Sequence, residues 1–585
     1  MQALRGIRNS HSWLPLLPIL VLYCISMPVT ITDYDAAEFV IIAAKGGIGH
    51  PPGYPFYLLI LHLAKIFSDL FSLIPLLSAV SVACTFLSVL LIFSLTRAVS
   101  RDLDSAIIGV YGVYLTAVVW RAATGIEPFA LNLFLASLCL YSGWKCLHNV
   151  DQPKLQRFWF VILGMSFGLS FCNHHSMAFM LPFAAIIWWA CSENRIVCLT
   201  FFIIGAGIGL VPLVYFFSSL ADGAFVWGDW SVPMDRFLTH VLRREYGTFS
   251  LSADLQGYWY NALSYFGQSL PIFFSYILCP FVLHGVFLMI KGLRGSDDNY
   301  KENYFTFGIL ISIFFTGIVF IALFSIPSDA FGKSIAERFF ALPIMLMAFP
   351  ISLSYKRLKM KLRSRGLGRV FVIIVIVFHV LTQFPEADRK EETFFDLHIR
   401  NTFSLVEDNA VVIVDSDPDY IGLLYGQQIL NLNAGAVIIM EGMWNAEWYR
   451  RNVIHQLGLE DSASPGFLSL SSVGAKIENP VYTMGSFQSK LASVYPNSYP
   501  VGPLRRWTKS KEKIPDILQL FEINKKIFLE QLSFPADMEV DKLTQWECSV
   551  LRHYQYTWWF LEKEFWEKDQ KKNAYFCSKY RSFFE

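Results

Sequence analysis

The feature that most limits how this chain can fold is a succession of apolar segments. They lie at 13–31, 73–96, 105–119, 128–147, 158–172, 176–192, 196–218, 270–290, 304–325, 339–354 and 370–384. A helix crossing the hydrocarbon of a bilayer needs roughly 20 such residues, with about 17 as the floor. These eleven segments meet or nearly meet that test. Composition agrees, with 54% hydrophobic and 16% aromatic residues and only 16% charged ones, against about 25% charged in an ordinary soluble chain. A formal net charge of +1 removes the field that a nucleic-acid partner would require. The sequence predicts a polytopic α-helical membrane protein with about eleven spans.

Arg5 and Arg8 precede the first apolar stretch, but an acidic motif follows it at once and small-x-small cleavage residues do not. It reads as an uncleaved anchor. Loop charge sets the orientation. With the N-terminus inside, Arg97 and Arg101, Lys154 and Arg157, Arg195, and Lys291 and Arg294 all fall on inner loops. So does the basic run from Lys356 to Arg369. This holds if 54–72, which carries His62, Lys65 and Asp69, lies along the interface as an amphipathic helix. The outer face then receives the loop 32–72, the turns near 121–127, 173–175 and 326–338, the loop 219–269, and everything beyond 385. The expected division is a membrane domain over 1–384, a soluble α/β region over 385–500 and a helical region over 501–585. The ten cysteines show no zinc pattern, and a Cys548–Cys577 bridge is left open. The absence of N-x-S/T sequons and of a retention tail leans toward a bacterial plasma membrane, with the endoplasmic reticulum as the alternative.

Beyond residue 385, Val411 to Val414 reads as a buried strand ending in Asp415-Ser416-Asp417-Pro418-Asp419. Ala434 to Met440 and Pro480 to Met484 read as further strands, with helices at 420–431 and 445–458. Alternation of this kind predicts a small parallel α/β layer. Helices are expected near 511–532 and 541–569. The three aspartates sit at a strand's carboxyl end, where such sheets bind ligands, though a solvated turn is the favoured reading.

Chemistry gathers on the outer face. Asp33, Asp35 and Glu38 follow the first span directly, with Asp35 and Glu38 on one helical face. Acids desolvated at a membrane boundary suit general-base work, but they also cap helices at the water interface. His50-Pro51-Pro52-Gly53-Tyr54-Pro55 fixes a rigid turn, and Gly46-Gly47-x-Gly49 before it frees the backbone for close approach to a ligand. Glu127 opens a span, and His174-His175 sits between two. Trp227-Gly228-Asp229-Trp230, His240, Arg243, Arg244, Tyr246 and Gly247 make the long outer loop aromatic and basic. Arg338, after Glu337, adds another guanidinium suited to phosphate. Phosphate-loop, dinucleotide, H-E-x-x-H and G-x-S-x-G patterns do not occur.

Asp35-Ala36-Ala37-Glu38-Phe39 followed by Gly49-His50-Pro51-Pro52-Gly53 resembles the D-S-G-E-F…H-P-P-G signature of one branch of the glycosyltransferase-C superfamily. That branch holds the plexin-type protein O-mannosyltransferases (transmembrane protein 260) and bacterial relatives. Glu127 within I-E-P-F-A-L-N, Asn173-His174, Trp227-Gly228-Asp229, Arg244-x-Tyr246-Gly247, Glu337-Arg338-Phe339 and Asn445-Ala446-Glu447-Trp448-Tyr449 also resemble its motifs. The likeness runs to about residue 450, and Ala36-Ala37 replaces the Ser-Gly often found between the acids.

The resemblance implies a lipid-phosphate-sugar donor, mannose transfer to Ser or Thr of exported proteins, and inversion at the sugar. It implies Asp35 as general base, with Asp33 or Glu38 orienting it or the sugar. His50, His174, His175, Arg244 and Arg338 would hold the donor phosphate. Glu127, Asp229, Trp227 and Tyr54 would line a sugar or acceptor pocket. A lipid-monophosphate leaving group can be stabilised by such groups alone, so neither metal nor cofactor is expected. A lipid or polysaccharide acceptor is the alternative. A transporter or flippase would carry its ionisable residues near the midplane, and here they sit at span ends.

Overall fold

The computed structural model describes residues 13–191, 195–220, 224–244, 264–265, 267–293, 300–324, 335–361, 365–459, 469–509, 514–535, 538, 540 and 543–584. They fall into two compact units. One holds Met1–Val29, Gly46–Phe225 and Phe237–Glu391. The other holds Thr30–Lys45, Val226–Arg236 and Glu392–Glu585.

The first unit is helical. Leu73–Ser100, Phe129–His148, Arg195–Ser218, Tyr300–Leu323 and Gly366–Ala387 are each long and apolar enough to cross a membrane. Two bent pairs also qualify, Leu103–Tyr114 with Ala117–Thr124 at 72° and Ile335–Leu346 with Ala348–Lys361 at 43°. By length and composition the described helices therefore give five to seven crossings. The remaining apolar segments form shorter helices at Leu14–Ile25, His175–Ala190 and Cys279–Gly292, or the helix Pro153–Phe171, whose first turns carry Lys154 and Arg157. Pro55–Lys65 has 11 residues, about 17 Å at the rise of an α-helix. That falls well short of the roughly 30 Å hydrocarbon layer.

Small residues bring these helices together, as apolar surroundings demand. Gly164 and Gly168 of Pro153–Phe171 face Gly205 and Gly209 of Arg195–Gly209. A Cβ at Gly164 would stand 1.9 Å from the Phe202 carbonyl oxygen, and one at Gly205 2.0 Å from that of Val161. Elsewhere Lys359 Nζ lies 2.7 Å from both Asp102 Oδ1 and Asp104 Oδ2, and Arg369 Nε lies 3.6 Å from Asp104 Oδ2, so two residues of the basic run are committed to ion pairs.

The second unit contains a five-stranded sheet. Its order is Val437–Met440, Val411–Val414, Val481–Met484, Leu504–Thr508, Asn497–Val501. The first three strands are parallel, with Val411 opposite both Val437 and Val481. The last two form an antiparallel hairpin through Gly502, whose φ is +58°. The expected parallel layer is thus present, and the hairpin extends it past residue 500. Pro500 masks that hairpin in the sequence, and a proline is accommodated here because Asn497–Val501 is the edge strand. The C-terminal helices are Ile517–Lys526, Gln545–Glu567 and Lys571–Ser582, the second opened by a Thr544–Glu547 capping box. Cys548 and Cys577 are free thiols.

Candidate functional site

In the helical unit, segments far apart in sequence meet around His174. The His50-Pro51-Pro52-Gly53 turn is closed by Gly53 N–H donating to the His50 carbonyl at 2.8 Å. Gly53 (φ +85°) and Tyr54 (φ 48°) both occupy the left-handed region. This throws the Tyr54 hydroxyl back to 2.9 Å from His50 Nε2, and the Tyr54 ring stacks on His174 with centroids 6.3 Å apart. Phe129 and Phe339 flank the same imidazole at 5.1 and 5.7 Å and touch each other edge-on at 5.4 Å. Asn173 Nδ2 donates to the Pro128 carbonyl at 3.0 Å. Arg338 Nη1 stands 3.6 Å from Glu127 Oε2. The H-P-P-G-Y, E-P-F, N-H and E-R-F segments thereby form one cluster.

The chemistry of His174 follows from its neighbours. Its Nδ1 accepts the backbone N–H of Ser176 at 3.2 Å and lies 2.7 Å from Ser176 Oγ. That hydroxyl is itself fixed by Asn132 Nδ2 at 3.0 Å. An accepting Nδ1 leaves the ring proton on Nε2. Burial, then the charges of Arg243, His175, Arg338 and His50, hold the imidazole well below its ordinary pKa. His174 is therefore a neutral N–H donor in a basic surround. His175 turns aside to stack on Phe171 at 4.7 Å. Arg244 is exposed, and its neighbour Arg243 is the residue whose charge reaches His174 most strongly. Tyr246 and Gly247 lie outside the described residues.

The glycines before the turn serve the fold as well. A Cβ on Gly47 would stand 1.8 Å from the Phe225 carbonyl oxygen, and Phe225 N–H donates to the Gly46 carbonyl at 3.1 Å. The close approach expected there is to the protein's own backbone. His240 is fully buried with Nε2 2.9 Å from the Gly49 carbonyl, which braces the turn from behind.

The acids belong to the second unit, on the helix Tyr34–Lys45. Asp33 Oδ1 accepts the Ala36 N–H at 2.7 Å, so this carboxylate caps the helix. Asp35 is partly exposed and Glu38 is 2% exposed, with carboxylate oxygens within 4.8 Å of one another. Such a pair can share a proton or accept a hydroxyl. In the same unit Trp227 contacts Trp448 with ring centroids 6.3 Å apart, joining the W-G-D and N-A-E-W-Y segments. Asp229 Oδ1 accepts the Ser231 N–H at 2.8 Å. That bond leads the causes holding Asp229 below the usual carboxylate range.

One polar centre in this unit was not visible in sequence. Asp419, fully buried, has Oδ1 3.2 Å from His398 Nε2 and Oδ2 3.0 Å from His553 Nε2. The two histidines lie on separate stretches of chain with no common motif.

This is a polytopic membrane protein whose fold resembles a solved bacterial one, ArnT from Cupriavidus metallidurans in the apo state. The TM-score is 0.50 at 10% identity, over 87% of this chain and 99% of that one. By sequence the chain is TMEM260-like. Residues 35–197 match the family described as Protein O-mannosyl-transferase TMEM260 N-terminal domain. The mouse protein named Protein O-mannosyl-transferase TMEM260 is 23% identical over 450 residues, 74% of this chain and 62% of that one. The Dictyostelium discoideum protein of the same name is 22% identical over 355 residues, 57% of this chain and 43% of its own. The chain thus spans less than two thirds of the length of these relatives. The match beginning at Asp35 covers the acidic helix and the H-P-P-G turn on which the resemblance was read.

Proposed function

We propose that this protein is a membrane glycosyltransferase that moves mannose from a polyprenyl- or dolichyl-phosphate carrier to Ser or Thr hydroxyls of exported proteins. The observation that carries the reading is the convergence of four distant segments on a neutral His174 flanked by Arg338 and Arg243. Such a cluster suits a lipid phosphate at the outer interface. The guanidinium groups supply charge, while His174 Nε2–H and His50 supply directed hydrogen bonds. The O-mannosyl-transferase name of the mouse and Dictyostelium relatives supports the sugar and a protein acceptor.

In this mechanism the acceptor oxygen attacks the anomeric carbon as the bond from that carbon to the phosphate oxygen breaks. Asp35 takes the hydroxyl proton, and the lipid phosphate leaves with the electron pair. Single displacement inverts the anomeric centre. Glu38, one turn further along the helix, orients Asp35 or the sugar, whereas Asp33 keeps the helix start in place. Glu127 aims Arg338. Trp227 and Asp229, in the same unit as the acids, are assigned to the acceptor, and Tyr54 to the sugar side of the phosphate.

The test uses purified protein, radiolabelled polyprenyl-phosphate mannose and an extract of exported proteins. Label should enter the protein fraction with wild type and not with folded Asp35→Asn. Label in the lipid fraction would move the acceptor, and transfer by Asp35→Asn at the wild-type rate would remove the base assignment. Failure of wild type to use any lipid-linked sugar would overturn the donor class.

A further inference from the structure

The acidic helix Tyr34–Lys45 is an element of the second unit, not of the helical one. It packs against the helix Asp417–Gln428. Its residues Ala36, Ala37, Phe39, Val40, Ile41 and Ile42 are each at most 1% exposed, so the helix is enclosed by packing, with Asp417–Gln428 among its supports. What holds the support is a buried carboxylate. Asp419 lies in the first turn of Asp417–Gln428, where Ser416 caps the helix and its Oγ is 2.5 Å from Asp419 Oδ2.

From this point three helices are tied together. His398 comes from Phe394–Leu405 and His553 from Gln545–Glu567. Each histidine is anchored on its other nitrogen, His398 Nδ1 to the Tyr554 hydroxyl at 3.0 Å and His553 Nδ1 to Ser486 Oγ at 2.7 Å. A buried ionised group is seldom the most stabilising way to fill such a space. Its well-attested use is to specify one arrangement among several packings of similar energy. Here the arrangement specified is the rotation and axial position of Asp417–Gln428, on which the acidic helix rests.

We infer that Asp419, held between His398 and His553, is a positioning device for Asp35 and Glu38, acting through the helix Asp417–Gln428. The inference rests on the transferase reading for its functional meaning, but its structural content stands apart. The second unit thereby carries the acidic pair together with its positioning device.

Hydrogen exchange on the full-length protein in detergent micelles tests this directly. His553→Ala removes the anchor, while His553→Gln keeps a donor near the position of Nε2. Amides of 36–45 and 417–428 should exchange at least about tenfold faster in His553→Ala and return close to wild type in His553→Gln. Those of strand Val411–Val414 and of Leu73–Ser100 should be unchanged. Faster exchange in 417–428 with 36–45 unaffected would overturn the coupling. Uniform loss across the unit, including Val411–Val414, would reduce the centre to general stability and overturn positioning.

In the transfer assay, His553→Ala should lower kcat about tenfold or more with donor KM unchanged. A raised donor KM at constant kcat would count against the inference. Ser486→Ala frees Nδ1 of His553 without touching Asp419, and should shift both readouts in the direction of His553→Ala but by less. Loss of transfer there with normal exchange would assign the centre to chemistry at Ser486 instead. If wild type transfers no sugar, the transferase reading falls alone and the exchange result still decides whether the coupling exists.

Discussion

Arg338 reaches across 211 positions of sequence to place Nη1 3.6 Å from Glu127 Oε2, with the two side chains 22% and 14% exposed. For a pair so largely buried, the desolvation of both ions offsets much of their attraction. Its value is directional, because a guanidinium restrained by one carboxylate presents its remaining donors to a fixed point. Arg338→Gln should lower kcat/KM for the lipid donor by roughly 10- to 100-fold, equivalent to about 1.4–2.8 kcal/mol. Glu127→Gln should lower it by less. The double substitution should cost clearly less than the sum, showing coupling. Arg338→Lys should not restore the rate, since one ammonium cannot satisfy both partners. Initial rates across a donor titration decide each point.

Asp33 and Asp35 are two residues apart and are expected to separate cleanly. Asp33 caps its helix through the Ala36 N–H at 2.7 Å, a task asparagine performs nearly as well. Asp33→Asn should keep most of the activity, and Asp33→Ala should cost about 1 kcal/mol of local helix stability. Asp35→Asn cannot accept a proton and should lower kcat by about 10²–10⁴-fold. Equal loss in both Asn variants would dismiss the division of roles.

What could be read from sequence divides along physical lines. Apolar length exposed the membrane helices, and the β-branched run Val411 to Val414 exposed the central strand. Glu127, His174 and Arg338 were singled out because each is an ionisable group at a span end. Their convergence on one cluster was not visible, since contacts between residues 50, 127, 174 and 338 depend on helix packing and not on local pattern. Arg244 is selected by its likeness to an R-x-Y-G motif, whereas the charge that bears on His174 is that of Arg243, a difference that depends on packing. Asp419 was seen only as one of three turn acids. Its two histidines lie 21 and 134 residues away, and nothing local marks them as partners.

Gly53 offers a test of how the H-P-P-G turn works. Its φ of +85° disfavours any side chain, and a Cβ would stand 2.5 Å from Phe216 Cε1 and 3.0 Å from His240 Nε2. Gly53→Ala therefore combines backbone strain with overpacking, at about 1–3 kcal/mol. Because Tyr54 follows directly and its hydroxyl meets His50 at 2.9 Å, the turn should shift and donor affinity should fall. Pairing the substitution with Phe216→Leu should recover part of the loss by making room. A Gly53→Ala protein with wild-type melting and donor KM would show that the turn tolerates a side chain.

Acid sensitivity of the second unit follows from His398 and Asp419. Burial holds the His398 imidazole below its ordinary pKa of about 6.5, outweighing the opposing pull of Asp419. As pH falls through about 6.5 the unfolded chain binds a proton that the folded chain refuses, so stability declines, by at most about 1.4 kcal/mol per pH unit for one such group. Asp419 is also held below its ordinary value by its two histidines, in spite of its burial. It adds stability that is fully present above about pH 4 and is lost as pH drops toward the depressed folded value. The two windows are separate and have the same sign. Urea unfolding followed by exchange of the 411–428 amides should show a plateau near pH 7–8, a first decline beginning near 6.5 and a second below 4. His398→Gln should lower the plateau yet remove the first decline. A wild-type midpoint that stays constant from pH 7.5 to 5 would show that His398 carries the same proton count folded and unfolded, and the description of His398 as held neutral by burial would have to be abandoned.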